Sequence, residues 1–432
     1  MAPIRRLWRR SGEPISASGL IAFRVAIGIL MALVPARMVL YGWVEPLFVM
    51  PTVRLPYAGF EWVPRPGPSL LYGLLAAQFL GGLLLAAGVW TRAAAAAFFL
   101  AFTWVELIDQ STYLNHYYLL SLLTLLLAIL PVHAKWPGPV TIPRYAMLWL
   151  RAQVAVVYIF AGIAKLNTDW LLHGEPMRTW LAGLTHLPLI GPYADDPRLA
   201  LLMSVAGCIY DLSIVGLLLW RRSRGFALIT VVVFHGLTSL LFPIGLFPWL
   251  MIAASTLFCE PDWPDRLLGR ARRAQPSQTH TMPTSMAVVM AGWMVLQVAL
   301  PARGWFQPGH QNWTERGFRF AWRVMLIEKT GLVDFRVVDP NTGRQWTVLP
   351  SEHLSPIQHR LMRTQPDMIA RFARHLAHEW SVREGVEVAV YADAYCSLNG
   401  RPTQRLVDPT VDLSVAPSEL PDHWIVPLEP DS

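Results

Sequence analysis

Val154-Ala155-Val156-Val157-Tyr158-Ile159-Phe160-Ala161-Gly162-Ile163-Ala164-Lys165-Leu166 closes an apolar run from about Met147 to Leu166, and it carries an amine near its end. Roughly 20 apolar residues suffice for a helix to cross a bilayer. The amine is not compositional noise, because nearly all the positive charge is arginine and the only lysines are Lys135, Lys165 and Lys329. An ionisable group inside a membrane segment marks a functional position. Unlike a guanidinium, an amine can lose its proton when desolvated and then act as a base or nucleophile. The plainer reading is a lysine that snorkels from a helix end to the interface.

The rest of the chain sets this segment in a membrane protein. Hydrophobic residues make up 54% and charged ones 15%, with a mean hydropathy of +0.37. Apolar runs give about nine candidate spans: 18–40, 69–89, 93–108, 117–132, 147–166, 199–220, 225–242, 245–259 and 285–300. The arginines then set the orientation. Arg5, Arg6, Arg9 and Arg10, then Arg221, Arg222 and Arg224, then Arg266, Arg270, Arg272 and Arg273 all fall on one side. That side is read as cytoplasmic, with the N-terminus there and the C-terminal region outside. The first span is longer than a signal-peptide core and is read as an uncleaved helix. A charge of +7 invites a nucleic-acid reading, but much of it sits in cytoplasmic flanks and no nucleic-acid module is visible, so nucleic-acid binding is set aside.

The expected architecture is an α-helical polytopic membrane domain over residues 1–302 and a small extracytoplasmic, β-rich α+β domain over 303–432. In the second part, 333–338 and 345–349 flank the turn Asp339-Pro340-Asn341-Thr342-Gly343. Residues 386–398 alternate toward Asn399-Gly400, a strong turn signal. Between them 357–380 reads as an amphipathic helix that Pro366 must break or start. Cys208, Cys259 and Cys396 form no disulfide framework. Asn312-Trp313-Thr314 matches a glycosylation sequon, a frequent chance match. His375 and His378 read as a solvated helix face rather than a metal site, since no third ligand is evident.

Polar groups at membrane depth are Arg24, Glu106, Asp109, Asn115, His116, Lys165, Asp211 and His235. The topology places Asn115, His116, Lys165 and His235 near the outer leaflet, where they converge. Such a group suits proton chemistry on a lipid-soluble substrate: a desolvated amine as base, an amide to hold a carbonyl or phenolic oxygen, and imidazoles that bond or carry protons. Arg24 and Asp211 read as a structural intramembrane pair or as bundle contacts.

These residues also carry a resemblance. Phe160-Ala161-Gly162-Ile163-Ala164-Lys165-Leu166 followed by Asp169-Trp170 resembles the lysine-bearing segment of the vitamin K-dependent gamma-glutamyl carboxylase family. So do Asn115-His116, the stretch from Phe234-His235 to Phe247, Leu257-Phe258-Cys259-Glu260-Pro261-Asp262-Trp263-Pro264, Asn312-Trp313-Thr314 and Asp408-Pro409-Thr410-Val411-Asp412. Phe23-Arg24, Arg151 and Asp211-Leu212-Ser213 fit as well, and the match is collinear from about residue 18 to 428.

The resemblance implies an enzyme that deprotonates reduced vitamin K with a lysine and uses O2 to turn it into a stronger base, leaving the epoxide. That base takes a γ-proton from a glutamate side chain, and CO2 makes γ-carboxyglutamate. Lys165 would be the base on the quinol, Asn115 would hold a quinol oxygen, and His116 would serve the carboxylation half. His235 is expected in the active site, and Tyr158, Ala161 and Gly162, one or two turns before Lys165, would leave room for a flat ring. The implied cofactor is phylloquinol or menaquinol with O2 and CO2 and no metal. The implied partners are a glutamate-containing peptide or protein and membrane lipid. The arginine bias points to a bacterial inner membrane.

The chain departs from the animal enzymes at Ala164, where they have a second lysine, and those enzymes continue well past the segment matching Asp408–Asp412, into regions for propeptide recognition. A non-carboxylating quinone-binding or interaction protein of the same fold is the alternative reading.

Overall fold

Each apolar run is a helix in the computed structural model, which describes residues 11–131, 141–188, 190–269, 282–415 and 420–429. The helices are α1 (Ser18–Leu40), α2 (Pro68–Ala87), α3 (Thr91–Glu106), α4 (Asn115–Ile129), α5 (Arg144–Ala164), α6 (Pro197–Leu219), α7 (Arg224–Leu241), α8 (Phe247–Ser255) and α9 (Thr284–Ala302). Six described helices, α1, α2, α5, α6, α7 and α9, are long and apolar enough to cross a membrane. The others fall short for a geometric reason. At about 1.5 Å per residue, the 16 residues of α3 reach only about 24 Å against a hydrocarbon core of about 30 Å. Lys135, the N-terminal arginines Arg5, Arg6, Arg9 and Arg10, and Arg270, Arg272 and Arg273 lie outside the described residues.

Helices in lipid gain little from mutual hydrophobic burial, so small residues and buried polar contacts set their packing. Gly28 of α1 and Gly82 of α2 meet so closely that a Cβ on Gly82 would lie 2.6 Å from the Ala32 amide nitrogen. Gln153 of α5 accepts from Trp293 Nε1 at 2.9 Å and donates to Gln297 Oε1 at 3.1 Å, joining α5 to α9. Arg151 satisfies the carbonyls of Leu257 and Cys259 just past α8, at 2.7 and 3.0 Å. Outward-facing Phe226, Ile229 and Leu240 of α7 and Val288 and Val295 of α9 remain exposed, a surface suited to lipid.

The sheets number β1 (Pro14–Ser16), β2 (Thr141–Pro143), β3 (Lys329–Val338), β4 (Gln345–Val348), β5 (Ala389–Leu398) and β6 (Gln404–Arg405). β1 and β2 pair antiparallel just before α1 and α5, and the remaining strands form an antiparallel sheet in the order β4-β3-β5-β6. Strand alternation turns Val390, Ala392, Ala394, Cys396 and Leu398 of β5 inward. They share a core with Met368, Ile369, Phe372 and Leu376 of α11 (Pro366–Glu384). Pro366 starts that helix, following the short α10 (Pro356–Met362), whose N-terminus has a Ser355–Gln358 capping box. Asn399 and Gly400 both take positive φ, 51° and 76°, as the turn signal requires.

The two parts interlock. Val53 and Leu55, from the loop between α1 and α2, belong to the core of the sheet rather than to the bundle. Asp109, just past α3, accepts from the Leu55 amide at 3.0 Å and from Gln358 Nε2 at 2.7 Å.

Candidate functional site

Lys165 takes the C-cap position of α5. Its side chain turns back along the last turn, where the unpaired carbonyls of a helix end favour a cation. Nζ donates to the Ala161 carbonyl at 3.3 Å and to Asp211 Oδ2 of α6 at 2.8 Å, and lies 5.2 Å from the Trp170 ring centroid. Lys165 and Asp211 are each only 6% exposed, so this lysine does not snorkel. Close approach of α5 and α6 makes the pair possible. A Cβ on Gly162 would stand 2.7 Å from Leu212 Cδ2 and 3.0 Å from its amide nitrogen, so any larger residue there requires Leu212 or its helix to shift.

The pair opens onto a cavity of about 510 Å³. Its walls include Val157, Met203, Leu237, Leu241, Phe242 and Met251, and among the described residues lining it only Lys165 and Asp211 carry formal charge. A hydroxyl and imidazole cluster adds polarity. Tyr158 Oη lies 3.1 Å from His235 Nε2 and 3.3 Å from Ser255 Oγ, and accepts from Tyr210 Oη at 3.4 Å. His235 is 1% exposed, and its Nδ1 has no hydrogen bond to a described residue. An apolar cavity with a few fixed polar groups is the usual form of a small-molecule site. These walls fit a flat, lipid-soluble ring with an apolar tail.

The outer domain supplies one wall. Residues 314–325 run between the bundle and β3, and Val324 and Met325 line the cavity. Glu315, Phe320, Trp322 and Met325 all have left-handed φ, from 52° to 61°. Non-glycine residues rarely hold this conformation unless their surroundings enforce it, and such strain gathers at functional sites. Here the enforcement is visible. Lys329 Nζ donates to Glu315 Oε1 at 2.9 Å and to the carbonyls of Trp313 and Thr364 at 2.9 and 2.6 Å. Tyr113 Oη accepts from the Phe320 amide at 2.8 Å, and Trp322 stacks on Tyr118 with centroids 4.9 Å apart.

Asn115 lies behind this wall: its Nδ2 donates to the Arg323 carbonyl at 3.3 Å and its Oδ1 accepts from Tyr113 Oη at 3.0 Å. The His116 ring packs on Tyr117 and lies 6.1 Å from Phe247, which lies 5.7 Å from His235 across the cavity edge.

A second cavity, of about 640 Å³, is lined by residues 314–320 of the same segment. Arg303, Arg316, Arg319, Arg371 and Arg374 line it against two carboxylates, Glu315 and Asp367. Glu315 already faces Lys329, and Asp367 accepts from Arg319 at 2.6 Å. The balance is cationic.

Of the residues singled out in the sequence, Tyr158, Ala161, Lys165, Asp211 and His235 line the first cavity. Asn115 and His116 adjoin it, one through Arg323 and the other through Phe247. Gly162 faces α6 rather than the cavity. Of the two expectations for Arg24 and Asp211, a mutual pair or bundle contacts, the second is what the structure shows: Asp211 meets Lys165 of α5, and Arg24 lies against Gly88 at the end of α2. Sequence reasoning missed Tyr210, Ser255 and the wall at 324–325. Tyr210 adjoins Asp211 and was within reach of a closer reading of α6, whereas no spacing ties Ser255 or Val324 to Lys165.

Comparison with known families gives two matches. Residues 13–263, more than half of the chain, match the HTTM domain, and residues 282–431 match the vitamin K-dependent gamma-carboxylase lumenal domain. The fold is that of an integral membrane protein with an HTTM domain and an appended lumenal-type domain. The chain belongs to the vitamin K-dependent gamma-carboxylase family. No solved structure matches it.

Proposed function

We propose that this protein carboxylates glutamate side chains of a peptide or protein at the γ-carbon, coupled to oxidation of a vitamin K-type quinol to its epoxide. The observation that carries this reading is a buried lysine in an apolar cavity sized for a quinone ring. Lys165 is the base toward the quinol hydroxyl, and the Tyr158, Tyr210 and His235 cluster orients the ring through its hydrogen bonds. The bound quinol, on reaction with O2, supplies a base strong enough to remove a γ-proton, and CO2 then bonds to the γ-carbon. The dry walls exclude water that would otherwise protonate such a base.

Asn115 and His116 serve the edge of the quinol cavity, next to Arg323 and Phe247. Asn115 offers its amide and holds the wall at Arg323. His116 is placed to serve the carboxylation half. The arginine-lined cavity receives the acceptor's carboxylates, by charge complementarity. The N-terminus lies in the cytoplasm of a bacterial inner membrane and the sheet domain outside it, so acceptors are met on the outer face.

The test supplies purified protein in detergent with reduced vitamin K, O2, labelled bicarbonate and a glutamate-containing peptide, and measures epoxide and incorporated label together. Both products are expected. Epoxide without label would leave a quinol oxidase that does not carboxylate, and neither product with a bound peptide would overturn the reading.

A further inference from the structure

Paired with Asp211, Lys165 must pass on a proton before it can take one from a quinol hydroxyl. An ammonium 2.8 Å from a buried carboxylate has no free lone pair, and the carboxylate holds the proton in place. Its other acceptor, the Ala161 carbonyl at 3.3 Å, cannot take a proton away. We infer that Asp211 is the proton-holding partner of Lys165: it takes a proton from the ammonium as a donor hydroxyl in the cavity gives its own to the amine. This inference rests on the proposed quinol chemistry.

The step balances. The N–H bond directed at Asp211 breaks and an O–H bond forms on the carboxylate. The donor's O–H bond breaks and a new N–H bond forms at Nζ. The donor leaves as an anion facing an ammonium, with Asp211 neutral, so the cavity keeps zero net charge throughout. A buried charge without a partner would be far more costly.

The surroundings support this role. No described residue other than Lys165 donates a hydrogen bond to Asp211. The titratable groups facing the pair are Tyr158 from α5, Cys208 and Tyr210 from α6 and His235 from α7, none of them formally charged. Val324 and Met325, from the outer wall, are apolar. Asp211 acts through Lys165 and is therefore a positioning and proton-sharing residue.

The test compares wild type with Asp211→Asn and Asp211→Glu. With [13C]Asp-labelled protein under anaerobic conditions, infrared difference spectra are recorded as reduced vitamin K is added, and binding is followed in parallel. A protonated-carboxyl band is expected in wild type and absent in Asp211→Asn. Quinol binding without the band overturns the inference alone, whereas no quinol binding overturns it together with the proposed function.

The pH profile of epoxide formation gives an independent readout. With Asp211 as proton acceptor, the acidic limb reports the carboxylate. Asp211→Asn then moves that limb up by about one pH unit or more, and Asp211→Glu restores it. A downward shift would make Lys165 the base alone with Asp211 only its counter-ion, and a slower but unshifted profile would make Asp211 structural. Either result rejects the inference.

Discussion

Arg401 grips Asp169 with two hydrogen bonds, Nη2 to Oδ1 at 2.6 Å and Nη1 to Oδ2 at 2.9 Å. Asn399 Nδ2 adds a third, at 2.8 Å to Oδ2. The turn after β5 is thereby fixed to the segment four residues beyond Lys165, so the outer domain and the end of α5 share one anchor.

Burial alone would raise the Asp169 carboxyl, but the hydrogen bonds of Arg401 and Asn399 and the Arg401 charge outweigh it and hold it below the usual range. The stabilisation is then present in full above an unfolded carboxyl value of about 4 and lost as pH falls through the lower folded one. Arg401→Ala leaves the carboxylate buried without its counter-charge, held by Asn399 alone of the two, at a cost of about 3–5 kcal/mol. Urea unfolding in detergent, followed by tryptophan fluorescence, should show this difference at pH 7 and a smaller one as the pH drops below about 4.

Tyr158 joins Tyr210, Ser255 and His235 through one hydroxyl. Tyr158→Phe keeps the ring and removes those bonds, each contributing about 1 kcal/mol. The KM for quinol is expected to rise roughly tenfold with a smaller change in kcat, the pattern of lost binding rather than lost chemistry. Steady-state epoxide assays across quinol concentrations separate the two.

How much of this was legible in the sequence depended on the range of the signal. Apolar runs and caps are local, so the helices and the start of α11 at Pro366 follow from composition and proline chemistry. All of the roughly nine expected runs are helical, and short ones such as α3 are shorter than a bilayer needs, because an apolar run does not show how far it extends as helix. Lys165 stood out because an amine is rare here. Its partner did not, because Asp211 lies 46 residues away in sequence on a separate helix, and an isolated intramembrane carboxylate gives no sign of which cation it meets. The wall at 324–325 comes from irregular chain held by contacts to Tyr113, Tyr118 and Lys329, and such backbone has no periodicity to read.

Gly162 sets the spacing between the helices that carry Lys165 and Asp211. Gly162→Val overpacks the contact with Leu212, at about 1–3 kcal/mol. A lower thermal midpoint should accompany a loss of epoxide formation greater than the lost folded fraction explains, because the pair is forced apart. Thermal melts and activity measured on the same preparation check this.

The arginine-lined cavity makes a salt-dependent prediction. Arg374→Ala should raise the KM for an acidic acceptor peptide by roughly three- to tenfold at low salt, with the gap narrowing as ionic strength shortens the reach of charge. A peptide titration at two salt concentrations measures both effects.

The account turns on Lys165 as a proton acceptor, and epoxide formation by Lys165→Arg tests that most directly. A guanidinium keeps the positive charge beside Asp211 but does not give up its proton in a protein. With reduced vitamin K and O2 supplied to folded protein, the account predicts a loss of at least about 100-fold for Lys165→Arg, the lower range for a missing general base. Epoxide formed by Lys165→Arg at the wild-type rate would contradict it.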